Sequence, residues 1–164
     1  MRPPLTFFVA GKPIPSPRPR GRINKSKFSG KLFTQTYVPH TADDWKNCVR
    51  NDAKKAWEKS EEGFIPRPWE GPLCVSLTFY FPRPKGHFRT NGELKPNAPK
   101  WAEATKDRDN LDKVILDALT NICIWRDDRQ VCDGRIRKLY VHPGNLLSQG
   151  GQMGCLIEIE ECEL

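Results

Sequence analysis

Lys106-Asp-Arg-Asp-Asn-Leu-Asp-Lys-Val-Ile-Leu-Asp-Ala-Leu-Thr120 is the most informative stretch of this 164-residue chain. At about 100° per residue, Leu111, Val114, Ile115, Ala118 and Leu119 form a single apolar stripe. That spacing predicts a helix over Asn110–Asn121 with this side on a core. Asp109, Lys113 and Asp117 recur one turn apart on roughly the opposite side, with Asn110 beside them, and only Leu116 breaks the division. Asp107 and Asp109 are two residues apart, so an extended entry sends both carboxylates to one side. Asp109 is also a candidate N-cap, which places acids beside free backbone N–H groups. A few residues beyond the helix, Trp125-Arg-Asp-Asp128 returns two more carboxylates, Asp127 and Asp128.

Outward from this segment the chain alternates strand and helix signals without a regular βαβα rhythm. Strands are expected at Leu5–Ala10 (LTFFVA), Lys31–Val38 (KLFTQTYV), Pro72–Phe81 (PLCVSLTFYF), Val131–Val141 (VCDGRIRKLYV) and Gly154–Glu160 (GCLIEIE). A further helix runs from about Ala42 to Lys59, with Thr41 as N-cap and Asp43 and Asp44 in its first turn. Trp45, Val49, Ala53, Ala56 and Trp57 form its buried stripe, and the Glu61-Glu62-Gly63 step ends it. No repeat or composition break divides the chain. The expected fold is α+β, a single domain over residues 1–164 with a mixed β-sheet and two main helices packed on it.

The charge is unevenly distributed. The formal net charge is +7, from 27 Lys plus Arg against 20 Asp plus Glu. Residues 1–40 hold eight basic residues and no acid. The densest part is a Pro/Arg-rich strip over residues 11–31, in which alternating prolines hold the chain extended and fan out Arg18, Arg20 and Arg22. Such a strip, with Lys12, suits a phosphate backbone, and the overall charge points to nucleic acid as partner. The competing reading of the strip is a solvated loop. A second basic loop spans residues 82–106 and is rich in Pro, Gly and Asn. No apolar window is long enough to cross a membrane and the start lacks the core of a secretion signal, so the expected location is the cytoplasm.

The six cysteines form no C-x-x-C pair, and none neighbours His40, His87 or His142, which excludes a zinc ribbon or finger and reads as reduced thiols. Several carboxylates with few histidines make a hard-oxygen site suited to Mg²⁺, with Mn²⁺ as substitute. Such a metal supports phosphodiester hydrolysis, and a lysine one turn from the acids, Lys113, can neutralise charge developing on phosphorus or orient the attacking water. An EF-hand fails, because counting from Asp107 puts Leu111, Asp112 and Ala118 at loop positions 5, 6 and 12. Two rival readings stay open: a branched-DNA-binding protein without catalysis, whose acids only cap helices, and a nuclease for flaps or other branched DNA. Among the five tryptophans, Trp101 is the best placed to stack on a base, at the end of the basic loop just before the acids.

The pattern D-x-D-N-L-x-K-x-x-x-D-A-L-T, followed by Trp125-Arg-Asp-Asp-Arg-Gln-Val131, resembles the RusA-type Holliday junction resolvases, small Mg²⁺-dependent endonucleases of bacteria and their phages. Gly11 to Arg20 (G-K-P-x-x-x-x-R-P-R) and Tyr37-x-Pro-x-Thr41 are similar to phage-borne members. The close match covers residues 107–131. The resemblance implies a metal-binding and catalytic set of Asp107, Asp109 and Asp128, a lysine required for cleavage at Lys113, and supporting roles for Asn110 and Asp127. It also implies a homodimer that makes paired symmetric nicks in four-way DNA junctions during recombination and repair. The loops at 83–100 and 141–154 look longer than a minimal member needs, and on that reading they alter which branched DNA is preferred.

Overall fold

Leu73–Phe81 is the centre of the main sheet, and its composition explains why. Every position from Leu77 to Phe81 is buried, as expected of a strand covered on both sides. The computed structural model describes residues 2–60, 67–142 and 151–162. In chain order its elements are β1 (Leu5–Ala10), β2 (Arg20–Lys25), β3 (Leu32–Tyr37), α1 (Asp43–Ser60), β4 (Leu73–Phe81), α2 (Arg108–Asn121), β5 (Val131–Asp133), β6 (Ile136–Tyr140) and β7 (Gly154–Glu161). The expected α+β fold is what the chain adopts. β1, β7 and β4 are successive antiparallel neighbours, while β5 and β6 both lie parallel to β4.

The register puts one apolar row on the helix-bearing face. Leu5, Phe7 and Val9 stand opposite Ile159, Ile157 and Cys155, which in turn oppose Val75, Leu77 and Phe79. All nine are buried. α1 covers β1 with Trp45, Val49, Ala53 and Trp57, and α2 buries Leu111, Val114, Ile115, Ala118 and Leu119 in the same core. Leu116 packs half-buried at the margin of that core. Asp117 does not face open solvent as its spacing implies, because α1 lies beside α2 and Lys46 Nζ approaches Asp117 Oδ2 to 3.6 Å.

Four local expectations need correction. The strand expected over Val131–Val141 is two strands, separated at Gly134 (φ 147°), where any Cβ would collide with the carbonyl of Val75. The Arg-rich strip is not wholly irregular, because Arg20–Lys25 forms β2 and pairs with β3 in a separate two-stranded ribbon. α1 starts at Asp43, so Ala42 rather than Thr41 flanks it. Finally, α2 starts at Arg108 with Asp107 at the N-cap position, which moves Asp109 into the first turn. The Glu61-Glu62-Gly63 step and most of the 141–154 loop lie outside the described residues. Among the described residues no helix is long and apolar enough to cross a membrane.

Candidate active site at the amino end of α2

The entry to α2 is held by backbone bonds rather than by a cap. Asp107 has extended geometry (φ −61°, ψ 136°) and its side chain caps no helical N–H. Its carboxylate is instead shared between Arg18 Nη2 and Asn110 Nδ2, each donating to Oδ2 at 3.4 Å. Because Asp107 is extended and Asp109 already helical, the two carboxylates are not related by strand alternation. Both flank the positive end of the helix dipole, which favours ionised acids and bound anions there. Asp107, Asp109 and Lys113 are exposed, and Asn110 is half-buried.

The segment that carries Asp127 and Asp128 is set by the way α2 ends. Cys123 takes a left-handed conformation (φ 59°), and the Ile124 N–H donates to Leu119 O at 3.3 Å. Trp125 then turns inward, fully buried, with Nε1 donating to Thr120 Oγ1 at 2.7 Å. The next residues form a 3-10 turn, Asp128–Gln130, with Asp127 as its N-cap in a reciprocal capping box. Gln130 Oε1 accepts from the Arg126 and Asp127 N–H groups, while its Nε2 donates to Trp69 O and Gly71 O, both at 3.1 Å. Gln130 thus rivets the turn to the β4 approach. The sequence reading assigned it no role, although Asp127-Asp-Arg-Gln130 carries the capping-box spacing that signals one.

The two acids of this turn are chemically unequal. Asp127 is engaged by Arg129, which donates from its backbone N and from Nε at 2.9 Å and from Nη2 at 3.1 Å. Those bonds hold its carboxyl down at about 2. Asp128 is exposed. Among the described residues no three His, Cys, Asp or Glu side chains converge closely enough to enclose a metal ion. The structure therefore joins Asp107 to Asn110 and Arg18, but it does not gather Asp107, Asp109 and Asp128 into a closed cluster. The donor chemistry at this edge, carboxylates without thiolate or imidazole, fits a hard cation. Mg²⁺ in particular keeps most of its waters and takes only one or two carboxylates.

Positive charge adjoins the acids. Lys12, Arg18, Arg20 and Lys106 line a groove of about 600 Å³ that contains no acid. The Ser16 N–H donates to Asn110 O at 2.8 Å, which seats the proline strip on the first turn of α2. Arg22 lies further out, on β2. On the far side, Arg83, Lys95, Lys100 and His142 border a second cleft of about 780 Å³ with Tyr140. That loop is well held: Arg83 donates to Val141 O and Pro99 O at 2.8 Å, and Lys95 to Gly86 O at 2.7 Å.

A profile of the Endodeoxyribonuclease RusA family matches residues 10–145, which includes both arms of this site. The chain belongs to the RusA endodeoxyribonuclease family. It is an endodeoxyribonuclease by that membership, which implies resolvase activity and binding to DNA junctions, in a family that generally depends on divalent metal. It is also similar to the uncharacterized protein YqaN of Bacillus subtilis (strain 168), with 32% identity over 139 residues, covering 83% of this chain and 87% of that one.

Proposed function

We propose that this protein is a Mg²⁺-dependent nuclease that resolves four-way DNA junctions by paired, symmetric incisions as a homodimer in the cytoplasm. By the resemblance, Asp107, Asp109 and Asp128 would supply carboxylates to the metal, with Mn²⁺ able to replace it, although the three form no closed cluster in this structure. When bound, such an ion polarises a phosphoryl oxygen and lowers the pKa of a coordinated water. The chain's own groups do the rest. Lys113 places its ammonium on the exposed face of α2, one turn from Asp109, where it can offset charge on the phosphate. Asn110 orients the Asp107 carboxylate. Lys12, Arg18 and Arg20 carry the DNA backbone, Arg22 extends the DNA contact onto β2, and Asp127, engaged by Arg129, sets the turn that presents Asp128.

The observation that carries this reading is the Arg18–Asp107 pair, which makes the acid-free groove and the acidic edge one continuous surface. The test is an end-labelled synthetic four-way junction incubated with protein and Mg²⁺, beside a flap and a linear duplex. Paired nicks near the crossover, abolished by EDTA and by Asp107→Asn while junction binding persists, are the expected result. Preferential cutting of flaps would reassign the substrate, and binding without cleavage in either Mg²⁺ or Mn²⁺ would overturn the assignment of the acids to catalysis.

A further inference from the structure

The β2–β3 ribbon stands apart from the core. Among the described residues its strands pair only with each other, every residue of β3 is exposed, and Ile23 and Leu32 are about 70% exposed (71% and 70%). A two-stranded ribbon alone is marginally stable in water, so this one is built to meet a partner. Its root is fixed to the catalytic edge through Ser16 and Arg18. Its tip is an ordered turn: Ser26 N donates to Lys31 O at 2.9 Å, Gly30 N donates to Ser26 O at 3.0 Å, and Phe28 is fully exposed.

Directly opposed residues of an antiparallel pair share a face. One face of the ribbon therefore carries Arg20 with Tyr37, Arg22 with Gln35, and Asn24 with Phe33. Asn24 Nδ2 donates to Gln35 Oε1 at 2.9 Å, leaving an acceptor on Asn24 and a donor on Gln35 as an adjacent pair. Acceptor–donor amides match the N6/N7 edge of adenine, arginine matches the O6/N7 edge of guanine, and the major groove admits a two-stranded ribbon. Between positions 20 and 38 the chain has five cations, Arg20, Arg22, Lys25, Lys27 and Lys31, and no acid. Two such ribbons would repel each other, so the charge argues against a second copy as occupant and for a polyanion.

We propose that the β2–β3 ribbon enters the major groove of a duplex arm of the branched DNA, reading base edges through Arg22, Asn24 and Gln35. This rests on DNA being the substrate. The ribbon supplies an arm-gripping surface beyond the backbone-tracking strip, and its position at the root of α2 sets where the scissile phosphate falls relative to the bases that are read.

The experiment compares wild type with the combined variant Arg22→Ala, Asn24→Ala, Gln35→Ala on an uncut four-way junction without divalent metal. Affinity is followed by fluorescence anisotropy and oligomeric state by sedimentation. A second junction carries 7-deazapurines in its arms, which removes the N7 acceptors of the major groove without altering the backbone. The expected result is about tenfold weaker binding by the variant at an unchanged oligomeric state. Deazapurines should weaken wild type several-fold and leave the variant unaffected. Equal affinities of variant and wild type, or deazapurine DNA bound by wild type as tightly as normal DNA, would overturn the inference while leaving the nuclease reading intact. Dissociation of the variant into monomers would reassign the ribbon to a contact between copies. Failure of wild type to bind any branched DNA would remove both readings together.

Discussion

Arg18 Nη2 lies 3.4 Å from Asp107 Oδ2, a contact between residues 89 positions apart in sequence. Both partners are mostly exposed, 79% and 64% of their side chains. An exposed pair at this distance contributes about 0–1 kcal/mol to stability, so its significance is where it places a guanidinium. Arg18→Ala should shift Tm by no more than about 3 °C. In junction-binding titrations the slope of log K against log salt should become shallower by about one, as expected for a lost phosphate contact. An unchanged slope would make Arg18 a mere staple of the proline strip.

Gln130 offers a sharper separation of structure from catalysis. Its amide makes four bonds that hold the 3-10 turn against Trp69 and Gly71. Gln130→Ala leaves two carbonyls and two N–H groups to find other partners, at a cost of about 1–3 kcal/mol. Because the turn presents Asp128, the incision rate at saturating substrate should fall about tenfold while junction affinity holds, the signature of a displaced catalytic group rather than lost binding. Gln130→Glu, which keeps the acceptor but loses both donated bonds, should fall between the two. Loss of affinity in step with rate would refute the positioning role.

What the sequence made legible, and what it hid, follows from the range of each signal. α2 was readable because its stripe is local, and the same holds for β4 and β7, whose alternation or apolar run lies within a few residues. The ribbon was obscured because β2 is written in Arg, Gly, Asn and Lys, with little β-propensity of its own, and is made a strand by its pairing with Leu32–Tyr37. Gly134 could be seen, but the Val75 carbonyl that forbids a side chain there is 59 residues away. The acids were legible as a motif. Their geometry was not, since Arg18 and Asn110 compete for Asp107 and only the fold brings Arg18 there.

Trp101 is the one tryptophan left exposed, at 57%, whereas Trp45, Trp57, Trp69 and Trp125 are buried. The backbone around it is pinned to β6: Ala102 N donates to Lys138 O and Tyr140 N to Lys100 O, both at 3.0 Å. Its ring faces the Lys100 ammonium at 5.7 Å. Removing the side chain should therefore leave the loop in place. Trp101→Ala should change Tm little, weaken binding to DNA with unpaired bases by about 1–3 kcal/mol, and leave blunt duplex binding unaltered. Trp101→Phe should retain most of that affinity. Equal losses on duplex and unpaired DNA would show a general electrostatic or structural effect instead of stacking.

Asp112 gives a pH dependence whose sign can be worked out. It is half-buried on α2, and burial raises its carboxyl above the ordinary 3.8, with Arg108 pulling the other way. A folded-state value above the unfolded one means that the native protein binds this proton more tightly. Stability contributed at Asp112 therefore falls as pH rises from the ordinary value through the raised one, and above that the full penalty of an ionised, desolvated carboxylate is paid. Asp127 behaves oppositely: held down at about 2, it favours the fold above its ordinary value and loses that contribution only as pH drops toward 2. Asp112→Asn removes the first dependence and leaves the second. Its Tm should exceed that of wild type at pH 7, and the difference should shrink on acidification through the raised value, as wild-type Asp112 takes up its proton. Thermal melts of the two proteins across that range decide it. A Tm gap independent of pH would mean that Asn gains through packing or hydrogen bonding, and that burial of the Asp112 carboxylate carries no energetic penalty in the native protein.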